Sequence, residues 1–148
     1  MLENIEIKQD INIMIVDDEP TNIRILVDIL KNEGFNTRVA RDGKTALSSL
    51  ELSTPDLILL DINMPEMDGY EVCKRIKQDE QLKKIPVIFI SSFHEGFDLE
   101  NIFSIGAVDY LTKPFNRNEV IIRVKNHLSL IYLKEKVEKL TAQIQNGN

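Results

Sequence analysis

The sequence predicts an α/β fold: a doubly wound, five-stranded parallel sheet with helices on both faces and an extended C-terminal helix. Short apolar runs of strand length alternate with segments of helical periodicity along the chain. The runs are nearly continuous in apolar residues, as strands covered on both faces are. Parallel neighbours need crossover connections, and a helix between successive strands supplies them.

Ile11, Ile13, Met14, Ile15 and Val16 form the first run, and Pro20 suits the first turn of the helix that follows. Ile23, Leu26, Val27 and Leu30 recur at helical spacing, with Gly34 just past the end. Phe35 to Ala40 reads as a second strand and Lys44 to Leu52 as a short helix. Pro55 precedes a third strand, Asp56 to Leu60. Gly69 to Asp79 reads as a helix, with Tyr70, Val72, Cys73 and Ile76 on or near its buried side. Pro86 opens a fourth strand, Val87 to Ile90. A weaker helix, Leu99 to Ile105, ends at Gly106, and Val108 to Leu111 is a short fifth strand. From Asn118 the pattern is helical almost to the end.

The chain has 148 residues, enough for one domain that buries about 68–70 % of its unfolded surface. An apolar fraction of 43 % with 28 % charged residues excludes wholesale disorder. The net charge of −6 and a pI of about 5.0 argue against a nucleic-acid footprint. No apolar run approaches the roughly 18 residues of a membrane span. Met1 to Asp10 lacks the basic and apolar regions of a secretory signal. A single cysteine, Cys73, cannot form an internal disulfide and fits a reducing cytoplasm; its helical setting makes it core filler. The expected division is a tail over 1–10, a domain over 11–128 and a helical extension over 129–148.

In such sheets, ligands bind beyond the carboxyl ends of the strands. Asp17, Asp18 and Glu19 close the first strand and Asp61 the third, so on adjacent central strands they would converge. Crowded carboxylates raise one another's pKa unless a cation neutralises them, and hard oxygens with room for water suit Mg²⁺. The same acids could instead serve only as helix starters. Ser91 and Ser92 end the fourth strand, and Thr112, Lys113 and Pro114 follow the fifth. Hydroxyls and one ammonium beside an acidic cluster make sense if a dianionic group must sit there. A phosphorylated carboxylate is such a group, needing a metal, a donor and a positive charge.

Four linked blocks, Val16–Glu19, Asp61–Gly69, Pro86–Ser92 and Gly106–Phe115, resemble the receiver domain of bacterial two-component response regulators. The match covers roughly residues 12–128 and implies a flavodoxin-like (βα)5 receiver. It implies that Asp61 is the phosphoacceptor, attacking a phosphohistidine on a sensor histidine kinase or phosphotransfer protein, or a small acyl phosphate. It implies Mg²⁺, with Mn²⁺ as a substitute, on Asp18, Asp61 and the backbone carbonyl of Asn63, with Asp17 acting mostly through bound water. Ser91 would donate to a phosphoryl oxygen, Lys113 would pair with another, and Tyr110 would move inward as Ser91 is drawn to the phosphate. The Lys113–Pro114 peptide would be cis. Phosphorylation would bias a surface formed by the fourth helix, fifth strand and fifth helix. Such a chain is a cytoplasmic signalling phosphoacceptor that catalyses only its own phosphorylation and dephosphorylation. Ser92 and Phe93 depart from the commonest family pattern and, with Asn63, would set the dephosphorylation rate. His94 and His127 have no metal-ligand spacing and read as bystanders.

The last helix outruns the domain, reaching about 42 Å at 1.5 Å per residue from Asn118 to Gln145. Ile121, Val124, Leu128 and Ile131 form a stripe for the sheet, whereas Leu130, Leu133, Val137, Leu140 and Ile144 repeat at three and four, like a coiled-coil seam. That pattern predicts a parallel homodimer, leading to an output domain or partner outside these residues. An aspartate-nucleophile phosphatase would carry a second Asp where Asn63 stands. A nucleotide or flavin module would want a glycine- or hydroxyl-rich loop in place of Asp17-Asp18-Glu19. A degenerate receiver acting only as a platform would not need the full set of Asp17, Asp18, Asp61, Ser91 and Lys113.

Overall fold

The computed structural model describes residues 10–92 and 99–147. Its strands are β1 (Asn12–Val16), β2 (Asn36–Ala40), β3 (Leu57–Asp61), β4 (Val87–Ser92) and β5 (Asp109–Lys113). They form one all-parallel sheet in the order β2-β1-β3-β4-β5. Between them lie α1 (Pro20–Asn32), α2 (Gly43–Leu52), α3 (Gly69–Gln78) and α4 (Leu99–Ile105), and α5 (Arg117–Asn146) closes the chain. The doubly wound fold is therefore as the sequence predicts. Strand limits shift by a residue or two; β5 starts after Val108 and runs on to Lys113.

Successive strand residues point to opposite faces, which divides the core in two. Met14, Ile58, Leu60 and Phe89 face Leu50, Val72, Ile76 and Ile102 of α2, α3 and α4. Ile13, Ile15, Leu59 and Ile88 face Leu26, Leu30, Val120 and Val124 of α1 and α5. Each fully buried Leu or Ile contributes about 1.5–3 kcal/mol relative to exposure, so the central strands anchor the fold. Cys73 lies wholly inside the first of these layers, and burial pushes its thiol up to about 11. It is the core filler expected.

The starts of α2, α3 and α5 are fixed by side-chain caps. Asp42, Asp68 and Asn116 accept from the backbone N–H of Thr45, Glu71 and Glu119 respectively. Gly34 and Gly106, at φ 89° and 117°, take the left-handed conformation that ends α1 and α4. The peptide between Lys113 and Pro114 is cis, as the resemblance implies.

α5 is one continuous helix of 30 residues, without a break at the expected boundary after 128. Its sheet-facing stripe keeps Val124 and Leu128 of the expected one and adds Val120. Val120, Val124 and Leu128 are buried, while Ile121 and Ile131 are only partly so. The four-residue step from Val120 keeps all three side chains on one face, and Ile121 is turned about 100° away. Among the described residues, no helix is long and apolar enough to cross a membrane. Phe93 and His94 lie outside the described residues, as does the tail before Asp10.

Candidate functional site

The carboxyl ends of β1 and β3 bring three acids together. Asp17 follows β1 directly, with its backbone N–H bonded to the Ala40 carbonyl at 3.1 Å, so it stays in line with the sheet. Asp61 is the last residue of β3, paired in register with Ile90 of β4. Carboxylate oxygens of Asp17, Asp18 and Asp61 all lie within 4.8 Å of one another. Asp17 is 0 % and Asp61 2 % exposed, while Asp18 is half-buried.

Lys113 reaches this cluster from the end of β5, two strands from Asp61. Its Nζ is 3.5 Å from Asp61 Oδ1 and 3.7 Å from Asp17 Oδ2. One ammonium does not balance three carboxylates. Burial first, and the Asp17 charge second, push the Asp61 carboxyl up to about 7, against the pull of Lys113 and the Asn63 N–H. Burial likewise raises Asp17, although its Oδ1 accepts from the Glu19 N–H at 2.9 Å.

The donor set fits Mg²⁺. Among the described residues no hydrogen-bond donor serves the buried Oδ2 of Asp17, an arrangement that costs free energy unless a cation or water completes it. Three close carboxylates, one of them half-exposed, offer hard oxygens and leave room for water, the preference of this ion. Asp18, Asp61 and Asp17 would hold it. The Asn63 backbone also faces the cluster, since its N–H donates to the Asp61 carboxylate.

The site also depends on a close backbone approach. A Cβ on Gly69 would overlap the Asp61 carbonyl oxygen and stand 2.9 Å from Ile62 Cα. The Gly69 N–H donates to the Ile62 carbonyl at 2.8 Å, which ties the start of α3 to the end of β3. Gly69 is thus needed beside Asp61, a stronger role than starting a helix. Glu66, in the loop between, holds a positive φ of 67°, unusual for a residue with a Cβ.

Ser91 is buried beside the cluster, but its hydroxyl donates to the Ser92 carbonyl at 2.9 Å. Tyr110 is half-buried in β5, with the Arg123 guanidinium 5.8 Å from its ring centroid. Arg123 in turn bonds both oxygens of Asp109 at 2.9 Å, and His127 Nε2 lies 2.9 Å from Asp109 Oδ2. His127 therefore takes no part in the acid cluster but helps to tie α5 to β5. Sequence reading missed this group. The Glu119–Arg123 pair is legible at i, i+4, but the tie to Asp109 crosses from strand to helix and leaves no local signal.

Comparison with known proteins gives a consistent result. The family model described as response regulator receiver domain matches residues 13–125. The chain is 40 % identical over 113 residues to the alkaline phosphatase synthesis transcriptional regulatory protein PhoP of Bacillus subtilis, covering 76 % of this chain and 46 % of that protein. It is 38 % identical over 117 residues to the polar-differentiation response regulator DivK of Brucella abortus, covering 79 % of this chain and 95 % of that one. It thus spans less than half of the first relative and nearly all of the second. A solved response regulator from Chloroflexus aurantiacus superimposes with a TM-score of 0.76 at 35 % identity, covering 82 % of this chain and 99 % of that one. The receiver domain of a Pseudomonas aeruginosa sensor histidine kinase, solved with magnesium in its active site cleft, gives 0.72 at 31 % identity, covering 81 % and 98 %.

Proposed function

The chain belongs to the response regulator receiver family, and on that premise we propose that Asp61 accepts a phosphoryl group with Mg²⁺ bound beside it. The observation that carries this reading is the convergence of Asp17, Asp18 and Asp61 within 4.8 Å, with the Lys113 ammonium 3.5 Å from Asp61. An ionised Asp61 oxygen attacks the phosphorus of a phosphohistidine on a histidine kinase or phosphotransfer protein, or of a small acyl phosphate. The imidazole or carboxylate departs with the bonding pair. Bound Mg²⁺ supplies charge neutralisation for the phosphoryl oxygens and lowers the repulsion among the acids, and Mn²⁺ would do the same. Lys113 remains to pair with one phosphoryl oxygen, and Ser91, released from the Ser92 carbonyl, donates to another. This is catalysis by positioning and electrostatics, with little proton transfer by the protein.

The chain acts as a signalling phosphoacceptor that turns over only its own phosphoryl group, in the cytoplasm. Drawing Ser91 toward the phosphate would free space for Tyr110, and the Arg123–Asp109 tie would carry that movement to α5. Asn63 and Ser92 border the path of water to the acyl phosphate and set its lifetime. The output is a partner or a domain beyond these residues, and a homodimer through α5 belongs to the same reading. Borohydride reduction after incubation with acetyl phosphate and Mg²⁺, followed by peptide mapping, tests the assignment. Homoserine at position 61 supports it; reduction at another carboxylate, or none, contradicts it.

A further inference from the structure

We infer that the cavity between the α5 extension and the entry to β4 binds a mononucleotide, with its phosphate on a cluster of lysines and its ribose hydroxyls toward two glutamates. The site is separate from the acid cluster and does not rest on the phosphoacceptor reading.

The cavity has a volume of about 390 Å³. That is at the small end of the roughly 300–1,000 Å³ usual for ligand sites, and suits a mononucleotide better than a dinucleotide. Pro86 and Val108, which line it, stand just before β4 and β5, so it opens at the edge of the sheet opposite the acids. β4, six residues long, puts about 20 Å between the two sites. Lys134, Glu135 and Glu138 line the other side, and all three belong to α5 beyond residue 128. The cavity therefore depends on the helical extension.

Lys77 is the preorganised member of the lysine cluster. Its stem rests on Gly106, where a Cβ would come within 2.8 Å of Lys77 Cγ. Its Nζ donates to the Ile85 carbonyl at 2.7 Å and to the Lys83 carbonyl at 3.0 Å. An ammonium has three N–H groups, so one is left for a ligand. Both acceptors are neutral, and burial lowers the Lys77 pKa, as it does for a cation without a countercharge. An anion in the cavity supplies that charge.

Four lysines on one cavity reverse the sign of a chain whose net charge is −6. Lys83 is paired with Glu80 at 2.8 Å, whereas Lys84 and Lys134 have no ion-pair partner among the described residues. Together with Lys77 they favour a phosphate dianion over a carboxylate, since lysine meets phosphate as a point charge. The rest of the lining selects the body of the ligand. Pro86, Val108 and Ile131 offer apolar surface that a base can cover, and Val108 is 37 % exposed. Glu135 and Glu138 would repel a bare anion, but carboxylates accept hydrogen bonds from ribose hydroxyls. Inorganic phosphate satisfies the lysines alone and a nucleoside the remainder alone; a nucleoside monophosphate satisfies both.

Equilibrium dialysis of the full chain tests this with AMP, adenosine and inorganic phosphate, in chelator to keep metal from the acid cluster. AMP should bind once per chain at sub-millimolar concentration, and the other two at least about tenfold more weakly. Lys77→Met and, separately, Lys134→Glu should each weaken AMP at least about tenfold. Lys134 is exposed on the extension, so its variant keeps the test decisive if Lys77→Met does not fold. Asp61→Asn should bind AMP as the wild type does. No binding of AMP, or binding that Lys134→Glu leaves unchanged, overturns the inference. So does inorganic phosphate that binds as tightly as AMP, which would mean an anion site without a place for the base. Loss of AMP binding in Asp61→Asn also overturns it, because the nucleotide would then sit at the acid cluster.

Discussion

Gly69 packs against the Asp61 carbonyl so closely that any side chain at this position would collide with the end of β3. The start of α3 is thereby pressed onto the backbone of the central acid, and Asp68 caps the helix from the adjacent position. Gly69→Ala should lower unfolding stability by about 1–3 kcal/mol, the usual cost of overpacking a rigid contact, read as a lower urea midpoint. It should also slow phosphoryl uptake, because Asp61 cannot keep its place. An alanine variant as stable as wild type would show that the loop yields and that the contact is incidental.

Mg²⁺ should stabilise the chain through the three acids. At a free concentration ten times its dissociation constant, the gain is about 1.4 kcal/mol by mass action, visible as a rise in melting temperature. Asp18→Asn should remove most of that rise. Asp17→Asn should remove it too, while raising the ion-free melting temperature, since it deletes a buried acid whose Oδ2 has no donor among the described residues.

The ion-free protein should lose stability as pH rises. Asp61 has a pKa of about 7 in the folded chain against an ordinary 3.8, so its proton favours folding. That contribution is complete below about pH 4 and is gone once the pH has passed about 7. The difference in urea midpoint between wild type and Asp61→Asn, measured in chelator, should therefore grow from pH 5 to pH 8. A difference that does not change with pH would mean that Asp61 is not held in a strained ionised state.

Asp109 should behave in the opposite sense. Burial pushes its carboxyl up, but bonds from His127, the Tyr110 N–H and Arg123 outweigh that and hold it below 3.8. Its contribution is present above about pH 4 and disappears as the pH falls through its lowered pKa. A double-mutant cycle of Asp109→Asn with Arg123→Met should give a coupling of about 1 kcal/mol at neutral pH, fading in acid.

Lys113→Met should leave two buried acids without their one ammonium, so Asp61 ionises less readily. Phosphoryl uptake at neutral pH should fall at least about tenfold, with part of the loss recovered at higher pH. Undiminished uptake would assign charge neutralisation to the metal alone.

The fold was legible because its determinants are local. Continuous apolar strands, Pro20 at a helix start and glycines such as Gly34 and Gly106 at helix ends read correctly from sequence alone. The acid cluster was legible because strand ends in a parallel sheet face one way, so that with β1 beside β3 the acids Asp17, Asp18 and Asp61 come together. What escaped was set by packing across elements. The choice of Val120 over Ile121 for the buried stripe depends on how α5 is rolled against the sheet. The grip of Arg123 on Asp109 and Tyr110 joins a helix to a strand. The need for Gly69 arises from the approach of α3 to β3, which spacing does not encode.

Intact mass after incubation with acetyl phosphate is the most direct test of the central claim. The account predicts a single addition of about 80 Da that requires Mg²⁺ and is absent in Asp61→Asn. An addition that survives this substitution or proceeds without the metal, or no addition from any donor, would contradict it.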